Sequence, residues 1–159
     1  MNMALIRVGD GYNLIHSRYS FWSIRAGKGN KTKLSQFQPG VPIAFIGSKQ
    51  SKNQYVLGFA TLVSVVDIRD EPLIHVNTKS NEEQNWRVDD PDEYPIQIHY
   101  KDYYAADRVG IPKIPCCIND PNTVIPYNKY IEKIEKIPEN LYYHHEQFKR
   151  YGTPKVFMS

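Results

Sequence analysis

Short apolar segments separated by polar turns run through the first two thirds of the chain. Residues 4–8, 42–46 and 73–76 are apolar and bounded by turn residues, which is typical of buried strands. Residues 55–68 form the longest apolar run, and their β-branched content favours a strand over a helix. Residues 94–100 alternate apolar with polar side chains, which predicts a half-exposed strand.

A further strand is predicted over residues 19–25. Its alternation places Phe21 and Ser23 on one face and Trp22 and Ile24 on the other. The strand leads directly into a basic, glycine-rich segment that we expect to be a loop.

The last part of the chain has a different, helical periodicity. Residues 127–137 carry apolar side chains at helical spacing, and Pro138 is expected to end that helix. A second helix is predicted over residues 139–151, and residues 14–18 form either a helical turn or a short connector. The elements together predict an α+β fold, with five to six strands in a small curled, mostly antiparallel sheet or open β-barrel and flanking helices.

Composition limits the class of protein. The 159 residues fit one domain, 1–159, with a helical extension over about 126–159, and a hydrophobic share of 41% is that of a globular chain. The two cysteines are neighbours and form no Cys-x-x-Cys pair, so a zinc ribbon or redox motif is not supported. No apolar run approaches the roughly 20 residues of a membrane span. We therefore expect a soluble, reduced, intracellular protein without a cofactor.

The charge pattern directs attention to residues 22–33. A net charge of +3 is mild, so any nucleic-acid site must be a local basic patch. Trp22 stands at the start of a loop that carries Arg25, Lys28, Lys31 and Lys33. A stacking platform beside a phosphate-attracting loop is suited to reading a nucleobase. A core tryptophan beside a solvated basic turn is the alternative interpretation.

Three segments resemble the YTH domain and, more loosely, the EVE domain of the PUA-like superfamily, over roughly residues 4–106. The end of the first strand, Ile6-Arg7, is similar to the apolar-Lys-Ser end in YTH domains. Tyr19-Ser-Phe-Trp-Ser23 followed by Gly29-Asn-Lys31 resembles the strand with the cage tryptophan and its Gly-Asn-Lys. Residues 40–46 and 56–67 resemble the strand pair that ends near an apolar-Val-Asp. Residues 116–126 lack a clear match to the family's later phosphate-binding arginine segment.

The resemblance implies a module that binds nucleic acid, RNA or DNA, carrying a modified base such as N6-methyladenine, alone or within a larger protein system. It assigns the aromatic cage to Trp22 and, from a later loop, Trp86. The residues expected at the base edge are Ser23, Asn13 and Asp10. The basic residues expected at phosphates are Arg7, Arg25, Lys28, Lys31 and Lys33. No catalytic residue and no membrane partner are expected.

Two other functions remain open from the sequence. The acidic run of residues 89–93, together with His75 and His99, could hold a metal ion, and some ASCH-type relatives in the same superfamily cleave nucleic acid. A PUA-like module that binds protein instead of a base is the second alternative. Metal-dependent cleavage would distinguish the first, and binding to modified against plain oligonucleotides would distinguish the second.

Overall fold

The computed structural model describes residues 3–27, 29–47, 55–70, 79–87, 93–107, 110, 112, 114, 131–134 and 139–158, with backbone only for 131–134. In chain order the elements are β1 (Met3–Arg7), α1 (Tyr12–His16), β2 (Phe21–Ile24), α2 (Asn30–Ser35), β3 (Pro42–Ile46), β4 (Val56–Asp67), a 3-10 helix (Asn81–Gln84), β5 (Ile96–Ala105), β6 (Ile131–Ile134) and α3 (Glu139–Tyr151). The predicted α+β class and the curled sheet with flanking helices are confirmed.

The strands form one sheet in the order β2-β5-β4-β3-β1-β6. Only β1 and β3 pair in parallel among the described strands, and the other neighbours are antiparallel. The register between β4 and β5 shifts between Phe59 and Thr61 and again between Leu62 and Ser64. Such bulges bend a strand and raise its twist, which allows the long β4 to follow a curled sheet.

Both faces of the sheet are covered. Ala4 and Ile6 of β1 belong to one apolar cluster, together with Leu14 of α1 and Leu34 of α2. The alternate residues Met3 and Leu5 belong to a second cluster, which includes Leu141 of α3. Because successive strand residues point to opposite faces, β1 is buried at every position and β3 at every position after Pro42. At one edge of the sheet, β2 carries a half-buried tryptophan.

Two predicted elements differ from the structure. The helix expected over residues 127–137 is wrong at Ile131–Ile134, which forms β6 and pairs antiparallel with β1. A short apolar segment fits either periodicity, and here the open edge of β1 supplies ladder hydrogen bonds. The loop expected over residues 27–33 is interrupted by α2, which begins at Asn30 after Gly29 in the left-handed region. The strand expected over residues 73–76 and the cysteine pair lie outside the described residues.

Candidate functional site

Two tryptophans that are distant in the sequence contact each other beside the edge strand β2. Trp22 lies on β2, and Trp86 lies just after the 3-10 helix. Their ring centroids are 5.2 Å apart and their planes meet at 58°. Both side chains are half-buried, so neither is enclosed in the core. The two indoles therefore form an angled corner that retains contact with solvent, which we call the tryptophan corner.

The corner is narrower than a cage that encloses a base between two rings. Stacked bases are spaced about 3.4 Å apart, so a base held between two parallel rings needs ring centroids roughly 7 Å apart. The rings of Trp22 and Trp86 touch instead, at 5.2 Å. A base can therefore lie against the corner, with its plane on one indole and a substituent towards the other, but it cannot enter between the rings as they stand.

Trp86 is anchored by hydrogen bonds to α1 and by packing on β2. Its indole N–H donates to the Ser17 hydroxyl oxygen at 2.7 Å, and that hydroxyl donates to the Asn13 carbonyl at 2.7 Å. The ring also packs edge-on against Phe21, with centroids 5.8 Å apart. Since the N–H is already satisfied, the exposed part of Trp86 is chiefly aromatic surface.

The carboxamide of Asn13 holds the chain immediately after Trp86. The Asn13 Nδ2 donates to the Arg87 carbonyl at 2.9 Å, and the Asn13 Oδ1 accepts from the Arg87 amide at 2.8 Å. Asn13 therefore positions the segment after Trp86, and its base-edge role stays a prediction. Asp10, the other residue predicted in this turn, is exposed, and its Oδ1 accepts from the Tyr12 amide at 2.9 Å.

Ser23 belongs to a polar network that joins β2, the 3-10 helix and β5. Ser23 is 5% exposed, and its hydroxyl donates to Oδ1 of Asn81. The same oxygen accepts from Nε2 of Gln97 at 3.0 Å, and His99 contacts Oε1 of Gln97 at 3.0 Å. Asn81 also donates to the Tyr94 carbonyl at 2.8 Å. The hydroxyl of Ser23 thus joins the 3-10 helix to the sheet.

Gln84 is a fully buried polar residue beside the site, and the sequence pattern does not indicate its role. It is 0% exposed. Its Oε1 accepts from the Tyr19 amide at 2.7 Å, and its Nε2 donates to the carbonyls of Tyr19 and Phe21 at 2.9 and 2.8 Å. These three bonds fasten the 3-10 helix to the start of β2, and they bring Trp86 beside Trp22.

The basic residues predicted at phosphates are dispersed. Arg7 is buried at the end of β1, with 7% exposure. Arg25 lies over Tyr94, with its guanidinium carbon 5.5 Å from the ring centroid. Lys33 is half-buried on α2, and Lys28 lies outside the described residues. Of the three that the structure describes, Arg7 is buried, whereas Arg25 and Lys33 are half-buried on separate segments.

Lys31 is engaged by two carboxylates. Its ammonium contacts Asp70 at 2.8 Å and Asp67 at 3.1 Å, and these hydrogen bonds raise the pKa of Lys31. Asp67 at the end of β4 also accepts from Arg69, which with Lys31 holds the pKa of that buried carboxyl well below its usual range. Lys31 therefore joins α2 to the end of β4 and is a poor candidate for a phosphate contact.

Other cations lie beside aromatic rings near the tryptophan corner. The guanidinium carbon of Arg87 lies 3.6 Å from the ring centroid of Tyr12. The ammonium of Lys79 lies 5.6 Å from the ring centroid of Tyr19. Cation–π contacts of this kind hold a charged group in place while its other side stays wet. Arg87 could have been noticed because it directly follows Trp86, whereas the position of Lys79 depends on tertiary structure.

A segment after α3, residues 152–158, crosses back to α1, and we call it the strap. Lys155 donates its backbone amide to the Tyr103 carbonyl at 2.8 Å, and its ammonium donates to the carbonyls of Ser17 and Ile15 at 2.9 and 3.2 Å. Burial lowers the pKa of Lys155. Phe157 packs against the cluster on this face of the sheet. The strap therefore contacts the end of α1 at Ser17, the residue whose hydroxyl accepts the hydrogen bond from the Trp86 indole.

The predicted acidic metal site is mostly outside the described residues. Glu93 is exposed, and residues 89–92 and His75 are not described. Across the described ranges, no group of three or more His, Cys, Asp or Glu side chains is placed to hold a metal ion. Among the helices that are described, none has the length and apolar character needed to cross a membrane.

Comparison with known proteins adds no family. No protein-family model matches the chain, and a search of the curated proteins finds no match. The functional inference therefore depends on the side chains of the tryptophan corner and on the contacts that hold them.

Proposed function

We propose that the chain is a nucleic-acid-binding module that captures a methylated base at the tryptophan corner. The observation that carries the proposal is the contact between Trp22 and Trp86 at 58°, with both indoles partly open to solvent. A base whose plane lies on one indole directs its edge towards the other. A methyl group on that edge is then in contact with an aromatic face and not with water.

Energetics favour this use of the corner. Stacking one base on an aromatic side chain contributes about 1–3 kcal/mol. Removing a methyl group from water contributes about 0.8 kcal/mol per buried carbon, which corresponds to a severalfold preference for the methylated base. The preference is modest because the corner has two aromatic walls, so the main effect of losing either indole is weaker binding to all strands that use the stack.

The corner is also preorganised, which supports binding without reordering. Trp22 is held in the β2–β5 ladder opposite Ile98, and Trp86 is held by Ser17 and by the segment that Gln84 fastens. Rigid aromatic groups lose little conformational entropy on binding. A base in a duplex must first be flipped out at a cost of a few kcal/mol. Single strands avoid that cost and are therefore the favoured ligand.

The test compares short single-stranded RNA and DNA oligonucleotides that carry one central N6-methyladenine with the same strands carrying adenine. Fluorescence anisotropy on the wild-type protein should show tighter binding to the methylated strands. Trp22→Ala and Trp86→Ala should each lose about 1–3 kcal/mol of binding free energy and most of the preference. Tyr151→Ala removes an aromatic side chain that is 74% exposed on α3 and is the matched control.

Two results would contradict the proposal. Equal affinity of the wild-type protein for methylated and plain strands would contradict recognition of the methyl group. Unchanged binding by Trp22→Ala would show that the tryptophan corner is not the binding surface, even if the protein binds nucleic acid elsewhere. Binding of neither strand leaves the protein-interaction alternative in its place.

A further inference from the structure

Arg87, Tyr12 and His16 form a three-layer stack beside the tryptophan corner. The guanidinium carbon of Arg87 lies 3.6 Å from the Tyr12 ring centroid, and the ring centroids of Tyr12 and His16 are 4.0 Å apart with an interplanar angle of 24°. Two groups at 3.6 and 4.0 Å from the Tyr12 centroid would overlap if both lay on the same face of that ring. Arg87 and His16 therefore cover opposite faces of Tyr12, and the phenol ring is the middle layer.

The stack is fixed at both ends. His16 Nδ1 lies 2.8 Å from the Tyr12 carbonyl, which can only accept, so this nitrogen carries the proton. At the other end the two hydrogen bonds from the Asn13 carboxamide fix the Arg87 backbone, and Arg87 directly follows the Trp86 ring that Ser17 holds. The guanidinium is therefore positioned relative to the corner before any ligand arrives.

Arg87 lies at the surface of the described part of the protein. Arg87 is exposed, and within the described ranges it forms no ion pair with a carboxylate. A guanidinium that stacks through its face still directs its N–H donors outward in its own plane. This geometry suits a phosphate, whose oxygens accept two parallel hydrogen bonds. Lys31, one of the five residues predicted at phosphates, is by contrast held by Asp67 and Asp70.

We propose that Arg87 binds a phosphodiester of the nucleotide that flanks the base at the tryptophan corner, with Tyr12 and His16 as the stack that orients it. The inference rests on the proposed function, because the corner fixes which nucleotide lies beside Arg87. Arg87 directly follows Trp86, with consecutive Cα atoms about 3.8 Å apart, so it is the described cation nearest in sequence to the two indoles. Tyr12 is a positioning residue, since it acts through the guanidinium.

The experiment replaces single phosphates. A set of single-stranded oligonucleotides with one central N6-methyladenine carries one neutral methylphosphonate, moved stepwise along the strand. Affinities of wild type and Arg87→Ala are measured for each strand. At one position next to the modified base, neutralisation should weaken wild-type binding roughly tenfold, as expected for a charge-assisted hydrogen bond. The same neutralisation should have almost no effect on Arg87→Ala, because its partner is already missing.

Further variants separate this contact from general electrostatics. Arg87→Ala should lower the slope of log affinity against log salt by about 0.7–0.9, with the preference for the methylated base retained. Arg87→Lys should keep the salt slope but recover only part of the affinity, because an ammonium lacks the planar fork. Arg150→Ala, at an exposed arginine on α3, gives the same change in net charge. It should change neither the salt slope nor the effect of the methylphosphonate next to the modified base.

The outcomes for the two proposals are distinct. If wild type prefers the methylated strand but every methylphosphonate has equal effects on wild type and Arg87→Ala, the phosphate assignment is overturned and the reader function stands. If wild type shows no preference but one phosphate remains coupled to Arg87, the reader function fails and the phosphate contact stands. If no strand binds, both proposals are overturned.

Discussion

Replacement of Gln84 tests how the tryptophan corner is assembled. Gln84→Ala removes three hydrogen bonds to backbone groups of Tyr19 and Phe21. A neutral hydrogen bond contributes about 0.5–1.5 kcal/mol net, and a buried group left unsatisfied costs about 1–3 kcal/mol. The three bonds together give an expected loss of about 3–4 kcal/mol in the free energy of unfolding. That is a large share of a typical total of about 5–15 kcal/mol.

Urea unfolding followed by tryptophan fluorescence and by far-ultraviolet circular dichroism measures this loss. Gln84→Glu is the sharper variant, since it keeps the size and the acceptor for the Tyr19 amide but cannot donate to both carbonyls. It should lose at least as much as Gln84→Ala, about 3–4 kcal/mol or more, because a buried carboxyl group then faces two carbonyl oxygens. Gln38→Ala, at an exposed glutamine, should stay within about 0.5 kcal/mol of wild type. If Gln84→Ala is as stable as Gln38→Ala, the role assigned to Gln84 is refuted.

Two further predictions concern the sheet and α3. In Gly58→Ala the new Cβ would lie 2.5 Å from the Tyr103 ring. We therefore expect the free energy of unfolding, measured with heat or urea, to fall by about 1–3 kcal/mol. Gly27→Ala, whose Cβ meets nothing within 4 Å, should be close to neutral. Burial lowers the pKa of His145 from 6.5 to about 4, and protonation therefore favours the unfolded state. Stability should fall by up to about 3 kcal/mol as the pH drops from 6.5 to 4. His145→Phe should lack that part of the pH dependence, and parallel curves for the two proteins would contradict the assignment.

The fold was predictable where apolar patterning is strong and local. Residues 42–46 and 55–68 were assigned as strands from their apolar, β-branched runs, and β3 and β4 occupy Pro42–Ile46 and Val56–Asp67. Ile131–Ile134 was assigned as helix because three-residue spacing between isoleucines also fits a helix. Its strand conformation depends on the free edge of β1, which no local pattern reports.

The contact between the two tryptophans is predictable from the sequence, whereas the partners of the charged residues are not. Trp22 and Trp86 were chosen by residue type and by resemblance, and the structure brings them into contact. Formal charge cannot show that Lys31 is paired with carboxylates at the end of β4. It also cannot show that Arg87 stacks on Tyr12, because that contact depends on the path of the chain after the 3-10 helix.

The strap has a consequence for the order of folding. The hydrogen bond from the Lys155 ammonium to the Ile15 carbonyl joins positions 140 residues apart. Closing so long a loop is entropically unfavourable until the intervening strands have paired. We therefore expect the sheet to assemble first and the end of α1, with the Ser17 group that holds Trp86, to reach its final position in a late step. A ribosome-bound chain that has not yet released residues 152–158 would then possess most of the sheet and still lack the finished tryptophan corner.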